Sequence, residues 1–405
     1  MTRRISDDDP AVLVFNVGSS SLSFRLYRHS DVLVDGKCHR VGVTGAASSF
    51  IEYRYGESQL RQEIGLPDHE LATRQVLSFL DSNGFVCDAV GHRFADGGGH
   101  FKTGVVVDKR STALLWRCAP LAPLHNVAAL QMIELVSRRW PTVTQFVVFD
   151  STFHSNLPDV ARTYALPEAL VKTYAKHGFH GLSYADVLEK TSWYLGESHF
   201  RAVALHLGTG GSSACAMKDG HSIDTSMGYS PLQGLVMNTR CGDLDPGIVI
   251  DLVRQGHSAD DLTRMLHRES GLLGLSGGVS SDIRDLCATM VNNPRARLAF
   301  DLYVYRIRFY LGAYAAVMNG IDVLVFTDDV GLCVPAVRSA VCGDMDYLGI
   351  LLDEERNQSA DPERIEPLHM VDSKVRILAV PNDEERAIYA EGLKLLGEPT
   401  QSAGG

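Results

Sequence analysis

The sequence of 405 residues lacks features that identify several broad classes of protein. No apolar run is long enough to cross a membrane and the first ten residues are polar and acidic, so we expect neither a membrane span nor a signal peptide. The eight cysteines include no Cys-x-x-Cys pair, which argues against a disulfide framework or a zinc knuckle and favours a reducing, cytoplasmic location. The net charge is −11 without a long Lys/Arg block, which argues against a broad nucleic-acid surface.

Signatures of particular enzyme classes are also missing. The chain has no Gly-Lys-Ser/Thr sequence, which excludes the P-loop class of nucleotide-binding proteins. It has no metal-ligand spacing and no Ser/His/Asp signature, and no Pro-rich or Gly/Ser-rich linker marks a domain boundary. Any anionic ligand must therefore be bound by a few placed residues.

Short apolar runs alternate with helical patterns along the chain, which is typical of α/β proteins. Runs rich in Val, Leu and Phe predict buried strands at 11–15, 146–149, 202–207, 323–326 and 375–380. Helical spacing predicts helices at 123–138, 183–195, 293–318 and 383–396. Together these patterns predict a mixed sheet covered by helices.

Two glycine-containing segments are similar to each other. Residues 12–27 align with residues 202–217 when Gly18 is matched to Gly208, and each copy has a strand, a turn of small residues and a second strand. Such a repeat predicts two domains built on one plan, with a boundary near residues 150–158. Two unrelated hairpins are the alternative that the residues leave open.

Both turns are candidates for binding an anion, because small side chains allow backbone N–H groups to approach it closely. The first turn, residues 16–21, contains three serines, and the second, residues 206–213, is richer in glycine and is the better candidate for phosphate. A plain polar turn is the alternative in each case.

Several charged residues lie at predicted strand ends or in glycine-rich loops. Arg93 follows an apolar run beside a glycine-rich loop, and Arg240 and Arg284 are further candidates for bidentate binding of carboxylate or phosphate. A solvated surface position is the alternative for each, and for Arg284 this means an ion pair with Asp282 or Asp285.

The carboxylate Asp150 ends a predicted strand, where ligands bind in open α/β sheets, although it could instead cap a helix. His125 and His180 have turn or glycine neighbours, with a structural histidine as the alternative. Arginines, a carboxylate, a histidine and two phosphate-sized turns on one chain indicate phosphoryl transfer, with a carboxylate binding Mg²⁺.

These motifs make the chain resemble the acetate kinase family from about Val12 to Ala390. The segments that carry the resemblance are 16–22, 119–126, 164–167, 178–181, 224–228, 231–237, 271–276 and 304–308. The resemblance implies an α/β fold of two domains with duplicated ribonuclease-H-like (actin-like ATPase) topology and a cleft between them. We place the domains at 1–152 and 153–384, with a C-terminal helix, 385–405, completing the first.

The resemblance also implies an activity, cofactors and partners. It implies a homodimer that reversibly transfers the terminal phosphoryl group of ATP to acetate or propionate, giving an acyl phosphate and ADP, with Mg²⁺ as cofactor. The partners are thus a small carboxylate and a nucleotide, with no nucleic acid and no membrane.

Individual residues acquire roles from the same resemblance. Arg93 and Arg240 would bind the carboxylate and the transferring phosphoryl group, and His180 would stabilise charge on its oxygens. Asp150 would orient the carboxylate or an arginine. Asn16 and Glu384 would organise Mg²⁺. The residues implied in nucleotide or phosphate binding are Ser19, Ser21, His206, Gly208, Thr209, Gly210, Asp282, Ile283, Arg284, Asp328, Asp329 and Gly331.

An apolar pocket for the acyl tail is implied at Ala95, Leu124, His125, Phe179 and Pro231. Position 95 is alanine where acetate-specific members usually carry valine, and the missing methyl groups leave room for a longer tail. Burial of one methylene contributes about 0.8 kcal/mol, roughly fourfold in preference, so propionate is a candidate substrate beside acetate.

The chain departs from the family on the side of the phosphoryl donor. Where the family has Phe-Thr-Gly-Gly-Ile-Gly-Glu-Asn, this chain has Asp328 and Asp329 in place of the first two glycines. Like charges about 4 Å apart repel by about 4 kcal/mol at an effective dielectric of about 20. Thr209 replaces an asparagine, Ser23 a lysine, and Asp96 and Gly99 replace the His and Glu of a His-Gly-Gly-Glu stretch.

Three hypotheses follow from these departures. ATP could bind with altered geometry or lower affinity, which we rank first. The donor could be pyrophosphate instead of ATP. The chain could also have lost kinase activity and act as a carboxylate- or phosphate-binding protein.

Overall fold

The computed structural model describes residues 10–18, 20–29, 31–43, 48–171 and 173–397, apart from the side chains of residues 123 and 124. The predicted phosphate-binding residue Ser19 and the side chain of the predicted pocket residue Leu124 lie outside the described residues. Among the helices described, none combines the length and the apolar character that a membrane crossing requires. The chain divides into a first unit, up to Thr152 and from Asp383 onward, and a second unit, Phe153–Asn382.

The first unit contains one mixed sheet. Its strands lie in the order β5-β4-β3-β2-β1-β6-β8-β7. The strand bounds are β1 (Ala11–Val17), β2 (Ser21–Arg28), β3 (Asp31–His39), β4 (Phe50–Tyr55), β5 (Ser58–Glu63), β6 (Ala89–Phe94), β7 (Val105–Val106) and β8 (Thr144–Phe149). The hairpin β1–β2 is antiparallel, whereas β1, β6 and β8 run parallel to one another.

The second unit contains another mixed sheet, in the order β11-β10-β9-β12-β14-β13. Its strands are β9 (Arg201–Gly208), β10 (Gly211–Lys218), β11 (His221–Thr225), β12 (Val323–Thr327), β13 (Glu366–Pro367) and β14 (Arg376–Ala379). The hairpin β9–β10 is antiparallel, and β9, β12 and β14 are parallel.

The same five-strand plan occurs in both sheets. In the first it is β3-β2-β1-β6-β8 and in the second β11-β10-β9-β12-β14, with an antiparallel meander followed by two parallel strands in each. The sequence similarity of residues 12–27 and 202–217 therefore reflects equivalent first hairpins. The prediction of an α/β fold with a duplicated topology is confirmed.

Helices cover the sheets, and the helices predicted from sequence at 123–138, 183–195, 293–318 and 383–396 are confirmed as α3, α6, α11 and α15. In chain order the helices are α1 (His69–Ser82), α2 (Lys109–Cys118), α3 (Pro123–Arg139), α4 (Asp159–Arg162), α5 (Glu168–Val171), α6 (Gly181–Leu195), α7 (Pro246–Arg254), α8 (Ala259–Arg264), α9 (Gly271–Leu275), α10 (Ile283–Thr289), α11 (Pro294–Val317), α12 (Asp328–Cys333), α13 (Pro335–Cys342), α14 (Glu354–Ser359) and α15 (Glu384–Gly397).

The central strands read as continuous apolar runs because both of their faces are buried. In β9, Val203 and Leu205 belong to the core that includes α11, while Ala202 and Ala204 face the core that includes α6. In both units, parallel central strands end at the same edge of their sheet, where ligands bind in open α/β folds. Asn16, Arg93 and Asp150 lie at this edge in the first unit, and His206 lies near it in the second.

Candidate active site

A buried ion pair forms where β6 and β8 of the first unit end. Asp150 directly follows β8 and is 1% exposed, and its Oδ2 accepts hydrogen bonds from Arg93 Nε at 3.0 Å and Nη2 at 2.5 Å. Arg93 Nη1 also donates to the carbonyl of Val17 at 2.8 Å. Burial opposes the charge of the guanidinium, but the carboxylates of Asp150 and Glu384 outweigh this effect and raise the pKa of Arg93.

The predicted magnesium residues lie beside this pair. Asn16, near the end of β1, donates through Nδ2 to Glu384 Oε2 at 2.9 Å and to Glu385 Oε1 at 3.1 Å, at the start of α15. Burial and the neighbouring Glu384 raise the pKa of the Glu385 carboxyl. Carboxylate and amide oxygens are hard donors, and Mg²⁺ needs only one or two protein carboxylates beside waters and phosphate oxygens. This donor set therefore fits Mg²⁺.

The predicted pocket residue Ala95 contacts a buried asparagine, Asn126, that the sequence analysis missed. The backbone N–H of Ala95 donates to Asn126 Oδ1 at 3.1 Å, and Asn126 Nδ2 donates to the carbonyls of Asp96 and Cys118 at 3.1 and 2.8 Å. Ala95 is buried and His125, on α3, is half-buried. Asn126 thus fixes the loop that carries Ala95 after β6.

Backbone groups at Gly18 and Ser21 of the first turn are occupied by hydrogen bonds within the first unit. The Gly18 N–H donates to the carbonyl of Ser21 at 2.9 Å, and His69 Nε2 donates to the carbonyl of Gly18 at 3.0 Å. His69, at the start of α1, is a second residue that the sequence analysis missed, because it is distant in sequence.

In the second unit, His180 occupies an unusual backbone position. It precedes α6 with a φ of 59°, in the left-handed region. Its Nδ1 lies 2.8 Å from Ser213 Oγ on β10, which is 2.6 Å from the hydroxyl of Tyr184. The His180 ring centroid is 4.0 Å from that of His206 on β9. The neighbouring Phe179, a predicted pocket residue, packs in a small cluster with two methionines.

Arg240 is a half-buried cation held by carbonyl groups. Its Nη2 donates to the carbonyl of Gly210 at 3.0 Å and its Nη1 to the carbonyl of Pro231 at 3.3 Å. Burial lowers the pKa of this guanidinium, and within the described ranges no carboxylate lies within 4.0 Å of it. A Cβ placed on Gly211 would lie 3.3 Å from Arg240 Nη1 and 3.6 Å from His180 Cε1, so both side chains converge on the β9–β10 turn.

Asp328 and Asp329, which we call the aspartate pair, contact the same turn from the start of α12. Asp328 Oδ2 lies 3.0 Å from His206 Nε2. Asp329 Oδ1 accepts from the Thr209 N–H at 2.8 Å, and Asp329 Oδ2 accepts from the Thr209 hydroxyl at 2.8 Å. Three predicted phosphate-binding positions, His206, Gly208 and Thr209, are thus covered by carboxylates.

Arg284, Ile283 and Gly331, three more of the predicted nucleotide-binding residues, all interact with other residues of the second unit. Arg284 is exposed and forms the ion pair with Asp282 that the sequence offered as an alternative, with its Nη2 2.5 Å from Asp282 Oδ2. Ile283 is buried in the core of the second unit. The carbonyl of Gly331 accepts a hydrogen bond from the buried Arg338.

Comparison with known proteins decides the family. The sequence profile of the Acetokinase family matches residues 11–390. The chain belongs to the acetokinase family. An acetate kinase of Dictyoglomus turgidum is 40% identical over 402 residues, covering 96% of this chain and 98% of the relative. A crystal structure of the acetate kinase from Entamoeba histolytica matches with a TM-score of 0.88 at 40% identity, over 96% of this chain and all of the other.

A second solved acetokinase-family structure, a propionate kinase from Francisella tularensis, matches with a TM-score of 0.86 at 30% identity, over 94% of this chain and 98% of the other. The fold agreement thus extends to relatives named for both acceptors. As an acetokinase, the chain is a phosphotransferase with a carboxyl group as acceptor.

For this acetokinase we predict that Ser213→Ala lowers kcat about fivefold. Loss of one hydrogen bond to an oriented ring changes the barrier by about 1 kcal/mol, and here it removes the contact that holds His180. Ser212→Ala is the matched control, because the Ser212 hydroxyl contacts the Tyr303 hydroxyl and the Gly208 carbonyl and not His180. Initial rates of acyl phosphate formation measure the effect, and equal rates for the two variants would show that Ser213 does not act through His180.

Proposed function

We propose that this protein transfers the γ-phosphoryl group of ATP to acetate or propionate, reversibly, giving an acyl phosphate and ADP. The observation that carries the proposal is Arg240, a half-buried cation without a carboxylate partner in the described chain, beside His180 at a glycine-rich turn. A desolvated guanidinium whose partners among the described residues are two carbonyl oxygens and the Met237 sulfur is poised to bind an anion. Membership of the acetokinase family supports the choice of a carboxylate as acceptor.

Each unit contributes a distinct task in this proposal. In the first, Asp150 fixes the fork of Arg93, which binds the carboxylate that attacks the γ-phosphorus. In the second, Arg240 and His180 offset the charge on the oxygens of the phosphoryl group during transfer. These side chains position reactants and neutralise charge, which is what phosphoryl transfer chiefly requires of a protein.

Asn16 and Glu384 are the residues that would hold Mg²⁺, with waters completing the coordination. Bound there, the ion would neutralise phosphate charge as the transfer proceeds. The carboxylates of Glu384 and Glu385 add to the effect of Asp150 in raising the pKa of Arg93.

We further propose that the enzyme is a cytoplasmic homodimer. Leu298, Tyr305 and Phe309 share one face of α11 at heptad spacing, and each is more than half exposed. Such a stripe of apolar side chains is typical of a surface that a partner covers.

The reaction is tested by trapping acyl phosphate as a hydroxamate, with acetate or propionate and either MgATP or magnesium pyrophosphate. We expect product with MgATP. Formation of acyl phosphate with pyrophosphate but not with ATP would show that pyrophosphate is the phosphoryl donor. No product with either donor, while acetate still raises the melting temperature, would identify a carboxylate-binding protein instead.

The width of the acyl pocket gives a separate prediction for Ala95→Val. Ala95 is buried, and its N–H is held by Asn126, so added methyl groups occupy pocket volume without moving the loop. We expect the acetate-to-propionate ratio of kcat/KM to rise about fourfold, the value of one methylene. Ala129→Val, at another buried alanine of the first unit, is the control. An unchanged acetate-to-propionate ratio in Ala95→Val would show that Ala95 does not determine which acyl group is preferred.

A further inference from the structure

The β9–β10 turn gathers the groups that an anion would use. The side chains of His180, His206 and Arg240 converge on this turn. The Thr209 N–H points out of the turn and donates to Asp329. Backbone N–H groups and cationic side chains around small residues form a typical binding place for phosphate. In this protein, however, two of those donors already bind carboxylates of the chain itself.

The aspartate pair reaches the turn because of the strand register. Thr327, the last residue of β12, pairs with His206 of β9, so the residues that follow β12 lie directly beside the turn. Asp328 has a φ of 64°, a conformation that favours glycine, and it nevertheless carries a carboxylate there. A Cβ on Gly208 would collide with that carboxylate, which shows how closely Asp328 covers the turn.

Each contact of the pair takes a donor that a phosphate oxygen would otherwise use. Ser183 lies 2.9 Å from His206 Nδ1, so the other ring nitrogen, Nε2, is left to donate to Asp328. Asp329 binds both the N–H and the hydroxyl of Thr209, a two-point contact like that of a phosphate. Arg284 Nη1 is 4.0 Å from Asp329, but its closest contact is with Asp282, so it offsets little of the charge of the pair.

We propose that the aspartate pair competes with the phosphate groups of the donor for His206 and Thr209, and so lowers the affinity of the enzyme for nucleotide. The inference rests on the proposed function, since it concerns the donor side of the same site. A donor phosphate must displace Asp328 and Asp329 from His206 and Thr209 and overcome their like charge. Removal of the pair therefore strengthens donor binding instead of weakening it.

The test measures the dissociation constant of MgADP by calorimetry for wild type and for the double variant Asp328→Gly/Asp329→Gly. We expect the double variant to bind MgADP at least tenfold more tightly, because its donors are released and the repulsion is gone. Asp344→Gly is the matched control, since Asp344 is an exposed aspartate with a φ of 53° away from the turn, and it should bind like wild type. Equal or weaker binding by the double variant would overturn the proposal.

Two further measurements keep the result decisive. If the double variant does not fold, Asp329→Asn is used, because it keeps the size of the side chain and one acceptor but removes a charge. We expect this variant to bind MgADP about threefold more tightly than wild type. An unchanged affinity would overturn the proposal. The hydroxamate assay on wild type is independent of this ratio of affinities. If wild type turns over but both proteins bind MgADP equally tightly, the aspartate pair is not a competitor and the kinase proposal stands. If the double variant binds MgADP more tightly but wild type gives no acyl phosphate, the competitor proposal stands and the kinase proposal is wrong.

Discussion

Arg240→Ala is expected to lower kcat/KM for phosphoryl transfer by about a thousandfold or more while leaving the melting temperature nearly unchanged. An arginine that neutralises charge in the transition state of phosphoryl transfer contributes about 10³ to 10⁵ in rate. The fold should tolerate the change, because Arg240 has no carboxylate among the described residues that its removal would leave unpaired. Steady-state rates of acyl phosphate formation give the measurement.

Two companion variants define what Arg240 does. Arg240→Lys keeps a charge but not the planar fork, and we expect it to recover only part of the activity. Arg264→Ala removes an exposed arginine of the same unit, which pairs with Asp261 and Glu269, and should be as active as wild type. A fall in kcat/KM of less than tenfold in Arg240→Ala would show that Arg240 does not neutralise charge in the transition state.

Asp150→Ala is expected to lower both activity and stability, because Asp150 acts through Arg93. Removing one partner of a buried ion pair costs about 3–5 kcal/mol, and because Glu384 and Glu385 still offset part of the charge of Arg93, we expect a cost near the lower end. For a unit of this size, 3 kcal/mol corresponds to a fall in melting temperature of roughly 6–12 °C. We also expect kcat to fall about a hundredfold, as the fork of Arg93 loses its orientation.

A double variant separates these two effects. Arg93→Ala/Asp150→Ala removes both charges, so its melting temperature should lie above that of Asp150→Ala, while its activity should be no higher. Asp150→Asn keeps an acceptor for Arg93 and should be intermediate in stability. If the double variant were less stable than Asp150→Ala, the ion pair would not be the cause of the instability.

Much of the fold was predictable, because it depends on local patterns. The strands at 202–207 and 323–326 are apolar runs buried on both faces, and such runs are visible without knowledge of the partner strands. Arg93 and Asp150 were found as candidates because each lies where a predicted strand ends. Parallel pairing of β6 with β8 then places them side by side.

The contacts that complete the site were not predictable, because they depend on pairing between distant parts of the chain. Ser213 reaches His180, and Asn126 reaches Ala95, across 33 and 31 residues of sequence. The sequence showed that Asp328 and Asp329 replace glycines, but it did not show where their carboxylates point. Their direction follows from the register that sets Thr327 beside His206.

The most direct test of the proposed reaction follows the oxygen atoms of the acceptor. Acetate labelled with ¹⁸O on both oxygens is incubated with the enzyme and MgATP, and the products are analysed by mass spectrometry. Direct attack of the carboxylate on the γ-phosphorus predicts an acyl phosphate that keeps both heavy oxygens, formed in equal amount with ADP. Transfer of one heavy oxygen to AMP, or release of ADP and phosphate with no acyl phosphate, would contradict the assignment of this chain as a carboxylate kinase.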